Sequence, residues 1–262
     1  MRTARDMATL DTVDVGDHAC LVAADARDSV AYTRAFVADG ALFGDKVLVL
    51  GPPETHGLGP GVTALHPVQA RGSLMGAVRR EAREAGAQGY RTLRVLALMD
   101  RMWPAGATER TIGEYELGME AFTAATGAIV VCAYPRVHFA DGSLAQALSV
   151  HPHHAGMRST VEPSFRIFQA RTEHWHVSGV VDADGAQAFR SALTMIAADC
   201  PVVRLHCADL EFMDAAGMRA LVQAAGAHAG HRVHLVDVND TVRRCWELLG
   251  YPKLDVPVEL VP

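Results

Sequence analysis

Lysine is nearly missing from this chain. Only Lys46 and Lys253 occur in 262 residues, so arginine carries almost all of the positive charge. Lys and Arg together number 24 against 30 Asp and Glu, a net charge of −6. Nucleic-acid binding draws on a basic footprint, which this balance does not supply, so no direct nucleic-acid contact is expected. Cys-x-x-Cys pairs are absent too: Cys20, Cys132, Cys200, Cys207 and Cys245 are odd in number and scattered. That excludes a disulfide framework and fits a reducing compartment. No apolar run reaches the length of a membrane span. The opening MRTARDMATLDTVDVGDH lacks the apolar segment of a signal peptide. The expectation is a soluble, cytoplasmic protein.

What is present is enough apolar material, 50% of residues, to bury one or two sound cores. The first part alternates strand-like and helix-like stretches. Strands are expected at residues 18–23, 46–50, 92–98 and 128–133, and helices at 29–43, 73–85 and 108–125. Such alternation implies a parallel α/β sheet with helices on both faces. In the second part, paired strands are expected at 165–170 and 175–177. Helices are expected at 186–198, 215–229 and 240–249, with Asp240 as the last one's N-cap, and strands at 202–207 and 232–236. The composition places a boundary between residues 157 and 164, giving domains 1–160 and 161–262.

The most informative stretch is LEFMDAAGMRALVQA, residues 210–224. A short apolar segment ends in Asp214, Ala215, Ala216 and Gly217, and a helical pattern with Met218, Leu221, Val222 and Ala225 on one face follows. Together with HVSGVVDADGAQAFRSAL, VVRLHCADL, RVHLVDV and VRRCWELLGY, it resembles the STAS family, the domain of anti-sigma-factor antagonists, over about residues 163–262. The resemblance implies a small mixed sheet packed with helices. It also implies that the loop made by Met213, Asp214, Ala215, Ala216, Gly217 and Met218 binds a partner, an anti-sigma factor or another histidine-kinase-like ATPase. Family members often carry a Ser or Thr just after the Asp, and its hydroxyl takes a phosphate. Here both positions are alanine, so no phosphoryl transfer is possible there and regulation is expected from the other half of the chain.

Residues 15–156 resemble the MEDS family of sensory domains. The likeness rests on VGDHACLVAADARDSVAYTRAFVADGALFGDKVLVL, RVLALMDRMWPAG, EYELGMEAF, IVVCAYPRVHF and ALSVHPHHAG. The layout is similar to RecA-like nucleotide-binding domains. The loop after the first clear strand, AADARDS, however, has neither the glycines nor the lysine of a phosphate cradle, so no functional P-loop and no ATP hydrolysis are expected. The resemblance implies a small-molecule sensor. Candidate ligand-binding residues are His18, Cys20, Trp103, Tyr115, Glu116, Cys132, Tyr134 and His151. His18 with Cys20, and Cys132 with Tyr134, alternate along their strands and so share a face. Ligands of open α/β sheets sit beyond the carboxyl ends of strands, which favours Cys132 and Tyr134 over His18, the residue that opens its strand.

His151, His153 and His154 have the donor atoms of a zinc site. No second cluster follows at fixed spacing, so no metal and no cofactor are expected. Each candidate also has a purely structural reading: His151 as a loop histidine bonded to backbone, Cys20 and Cys132 as small buried hydrophobes, Trp103 as core, Glu116 as a solvated helix position. The expected function is a non-enzymatic two-part regulator. The rivals are a metal- or cysteine-dependent hydrolase using Cys132 with His151 or His138, an ATP-binding switch, and a scaffold whose N-terminal half only makes a homodimer.

Overall fold

The structure, a computed structural model, describes residues 4–52, 61–67, 73–102, 108–156, 162–171 and 173–261. The first part is built on a seven-stranded sheet of β1 (Arg5–Met7), β2 (His18–Ala23), β3 (Lys46–Leu50), β4 (Val62–Leu65), β5 (Leu93–Leu98), β6 (Ile129–Pro135) and β7 (His153–Gly156). The strands run in the order β1-β7-β2-β6-β5-β3-β4, and every pairing is parallel. Helix α1 (Ala26–Phe43) covers one face. Helices α2 (Leu74–Ala87), α4 (Glu109–Thr126) and α5 (Asp141–Ser149) cover the other, and a short α3 (Met99–Met102) follows β5. Both faces of the central strands are therefore buried, and this is why HACLVA, KVLVL and IVVCAYP read as almost unbroken apolar runs.

Local chemistry sets the helix ends. Asp25 caps α1 by accepting from the backbone N–H groups of Arg27 and Asp28. A carboxylate thus occupies the helix N-terminus where a P-loop would hold phosphate. Thr108 caps α4, and Gly44 and Gly127 end α1 and α4 in the left-handed conformation. One buried ion pair ties the layers together. Arg94 Nε donates to Asp45 Oδ2 at 3.0 Å, Arg94 also donates to the Phe36 carbonyl, and its guanidinium lies over the Phe36 ring.

The second part is a five-stranded mixed sheet in the order β12-β11-β10-β9-β8. Its strands are β8 (Phe165–Arg171), β9 (His174–Val181), β10 (Val202–Met213), β11 (Arg232–Val236) and β12 (Val258–Val261), and its helices are α6 (Ala186–Asp199), α7 (Ala215–Ala225) and α8 (Asp240–Leu248). Among the described residues only β8 and β9 pair antiparallel. Two expectations are corrected here. Asn239, not Asp240, caps α8: it sits in extended backbone and its side chain accepts from Val242 N–H, while Asp240 is already helical. Helix α7 ends at Ala225 rather than continuing to 229, with Gly226 as its C-cap.

The two parts share a core. Leu117 of α4 and Val150, which follows α5, are buried in the same cluster as Phe165, Ile167, Phe189 and Leu193. At Gly113 of α4 a Cβ would lie 2.7 Å from Met195 Cε of α6, so the helices approach closely there and a larger residue would displace the Met195 side-chain end. Arg166 of β8 donates to the Pro152 carbonyl at 3.2 Å and to Asp6 at 2.5 Å. Among the described residues no helix is long and apolar enough to cross a membrane.

Candidate functional site

Four elements bring polar side chains to one buried point beneath α4. Strand β2 contributes His18 and β6 contributes Cys132 and Tyr134. Helix α4 contributes Glu116 and Glu120, and the residue two past the end of α5 is His151. In the β2–β6 register Cys20 lies opposite Cys132, so His18, two residues before Cys20, has its side chain on the same face. His18, Glu116, Glu120, Cys132, Tyr134 and His151 are all fully buried.

The contacts converge on one carboxylate oxygen. Glu116 Oε2 is 3.3 Å from His18 Nε2, 3.2 Å from His151 Nε2 and 3.1 Å from Cys132 Sγ. Cys132 Sγ is 3.6 Å from His18 Nε2, and the two imidazole rings lie 4.0 Å apart between centroids. The other carboxylate oxygen, Oε1, accepts from the Tyr134 hydroxyl. Each histidine is held on its far side: His18 Nδ1 donates to Glu120 Oε2 at 2.9 Å and His151 Nδ1 donates to the Ala147 carbonyl at 2.6 Å. His151 Nε2 lacks a hydrogen bond of proper geometry.

The electrostatics follow from this crowding. Burial would raise the Glu116 carboxyl, but His151 and His18 outweigh it and hold it well below the ordinary carboxylate range. Burial would lower His18, but Glu116 and Glu120 outweigh it and raise the imidazole above its ordinary value. Burial and then Glu116 push the Cys132 thiol and the Tyr134 phenol well up. A thiol pushed up in this way and shut away from solvent is a poor nucleophile, so the site offers Cys132 little reactivity as a cysteine nucleophile. His138 is half-exposed and paired with Asp100 at 3.1 Å.

Several sequence expectations change at this site. His18 was ranked below Cys132 and Tyr134, yet it sits in the middle of the cluster, because the polar groups meet under α4 and not beyond the strand ends. Glu116 is buried, not a solvated helix position. Tyr115 is buried and interacts with Cys132. Cys20 packs in the apolar cluster of this face. Trp103 lies outside the described residues. Of the histidine run only His151 joins the cluster: His153 Nε2 faces Asp17 at 3.1 Å and His154 Nε2 meets the Leu148 carbonyl at 2.8 Å. None of the described residues among these lines the cleft of about 890 Å³ between the two parts, whose walls include Arg110, Glu114, Arg190 and Gln223.

Glu120 was missed entirely. Its Oε1 accepts from the Gln169 backbone N–H of β8 at 3.0 Å, while its Oε2 holds His18. One side chain therefore joins the cluster to the C-terminal sheet. The signal was present: Glu116 and Glu120 are four apart, on the helix face that also carries Ile112 and Met119.

The second candidate surface is the turn before α7. Asp214 caps that helix, accepting from Gly217 N–H at 2.8 Å. A Cβ at Gly217 would lie 2.5 Å from the Val181 carbonyl, so the turn demands glycine. Met213, Gly217 and Met218 are buried. The expectation that the two methionines form contact surface is corrected: they fill the space between sheet and helix. Of the six loop residues, Ala215 is exposed and Asp214 and Ala216 are half-buried. Phe212, at 40% exposure, adds an apolar edge beside them.

Comparison with known families matches both parts. The model described as MEDS, the methanogen/methylotroph DcmR sensory domain, matches residues 17–152. The model described as Mlab, STAS domain, matches residues 168–261. No curated protein matches the chain.

Proposed function

Because the chain belongs to the MEDS sensory family through residues 17–152 and carries a STAS domain over residues 168–261, we propose that it is a non-enzymatic cytoplasmic regulator of the anti-sigma-factor-antagonist kind. The N-terminal half takes a small ligand. The C-terminal half binds an anti-sigma factor or another histidine-kinase-like ATPase through the surface made by Phe212, Asp214, Ala215 and Ala216. Alanine at 215 and 216 offers no hydroxyl, so ligand state in the first half replaces phosphorylation as the input.

The observation that carries this reading is Glu120. It hydrogen-bonds the buried cluster on one side and the backbone of β8 on the other, so a change of charge or position at His18 acts directly on the first strand of the STAS sheet. A ligand can shift an equilibrium only by its differential affinity for two states, and this bridge is the contact through which such a difference would reach β8. The shared core around Leu117 and Val150 makes the two halves mechanically continuous.

The test is capture of purified histidine-kinase-like ATPases by the full-length protein. Replacing Ala215 by Arg puts bulk and charge on an exposed position and should abolish capture while leaving the fold intact. Undiminished capture by that variant would refute the assigned surface.

A further inference from the structure

We propose that His18 Nε2, Glu116 Oε2, Cys132 Sγ and His151 Nε2 form a four-donor site for a divalent cation of the zinc class, and that this ion is the ligand of the N-terminal half. The site stands on its own geometry; its role as the regulatory input rests on the sensory reading above.

The donor set is the first argument. Two imidazoles, a thiolate and a carboxylate are the ligands that borderline-soft divalent ions prefer. Their spacing is the second. Zinc bonds of roughly 2.0–2.3 Å arranged as a tetrahedron give donor-to-donor edges of about 3.3–3.6 Å. Four of the six edges are 3.1, 3.2, 3.3 and 3.6 Å, and all four donor atoms lie within 4.8 Å of one another.

The orientation of the donors is the third argument. Each histidine uses Nδ1 outward, on Glu120 or on the Ala147 carbonyl, and aims Nε2 at the common point. Outer partners of this kind fix the tautomer and ring plane of metal-bound histidines. Tyr134 likewise ties up Glu116 Oε1 and leaves Oε2 for the ion. Hydrogen bonding alone accounts poorly for the same arrangement. Two imidazole nitrogens and a thiol crowd a single oxygen with about two lone pairs, and the buried His151 Nε2 has no well-formed hydrogen bond. A cation at the centre satisfies every one of these atoms at once.

Charge agrees. Cys132, and either imidazole that carries a proton on Nε2, release it to solvent as the ion binds, and the charges of a dication, one thiolate and one carboxylate then sum to zero among the four donors in a fully buried place. With four protein donors and no exposed face, the site has the closed form of a binding centre and not the open position of a catalytic one.

The test uses the full-length protein, stripped with chelator and reconstituted with Zn²⁺ alone or Co²⁺ alone. One equivalent of either ion per chain should survive desalting, and the cobalt form should show thiolate-to-metal charge-transfer absorption. Cys132→Ser and His151→Ala should lose both signals, and His138→Ala should keep them. Glu120→Gln should weaken binding about 10–100-fold without removing the band, as expected of a positioning residue. Failure of the wild-type protein to hold cobalt or zinc, cobalt bound without the charge-transfer band, or a band that persists in Cys132→Ser would each overturn the site. The wild-type spectrum decides even if a variant fails to fold. A failure of the sensory reading would look different: one ion bound per chain, with partner capture identical in the stripped and loaded protein.

Discussion

The two functional regions are built in opposite ways. The turn at Asp214 is local: its cap, its obligatory glycine and its two alanines, one of them exposed, all fall within four consecutive residues, Asp214 to Gly217. The cluster under α4 is non-local: His18, Glu116, Cys132 and His151 come from four separate elements and meet only after the sheet has formed. One is a surface whose polar group organises a helix end. The other is a closed set of titratable groups with no solvent to relieve them. A contact surface tolerates change at its edge, whereas a buried charged set transmits it, because an unpaired charge in the interior is costly. The contrast suits an output placed on the surface and an input placed inside.

The sharpest way to break the contrast is Glu120→Ala. It leaves His18 Nδ1 and the Gln169 amide without their shared acceptor, and it should cost about 3–5 kcal/mol by urea unfolding. A loss below about 1 kcal/mol would mean that the bridge between cluster and sheet holds little. Next in size is Leu117→Ala, a cavity in the shared core that should cost about 2–5 kcal/mol. Hydrogen exchange should then speed up in strands of both sheets together. Faster exchange confined to one sheet would show that the halves are energetically separate.

Asp214→Ala should cost about 1 kcal/mol through the lost helix cap, and it should leave exchange under α4 untouched. Asp214→Asn should recover most of that loss, since the amide oxygen can still accept from Gly217. The smallest effect is expected from acid. His174 and His176 on the STAS sheet are held below the ordinary histidine value, chiefly by burial and then by Arg171 and His206 for the first and by His206 for the second. Their folded forms bind fewer protons than the unfolded chain. Stability is therefore full above the unfolded value of about 6.5 and declines as pH falls through it. Thermal unfolding of the wild type against a His174→Gln, His176→Gln double variant would show this as a shallower acid dependence in the variant.

Much of the architecture was legible. Strands over His18–Ala23, Lys46–Leu50 and Arg232–Val236 form with the expected bounds: the first two are buried on both faces and leave compact apolar runs, and the third alternates buried with more open positions. Short strands at or next to a sheet edge leave no such trace. β1, β4, β7 and β12 span only three or four residues each, and β7 reads HHAG, with no apolar alternation. Helix α5 escaped because DGSLAQALS lacks a side-chain cap at its start. The STAS turn was legible as a motif, but the direction of its methionines was not: Met213 ends a strand and Met218 lies in a helix, and only the packing of that helix on the sheet puts both in one core cluster with Val181.

Sequence alone determined the α/β class, the pairing of a sensory with a STAS domain, and the alanines that remove a phosphate acceptor, since each is written in contiguous residues or in their period. Tertiary structure decided the rest. It chose His151 over its neighbouring histidines, it turned Glu116 and Glu120 inward, and it joined the second sheet to the first through a shared core and the Glu120 carboxylate. Those outcomes depend on which strands lie side by side and which helix covers them, and residues more than a hundred positions apart, such as His18 and Glu120, carry no shared local pattern from which that neighbourhood could be read.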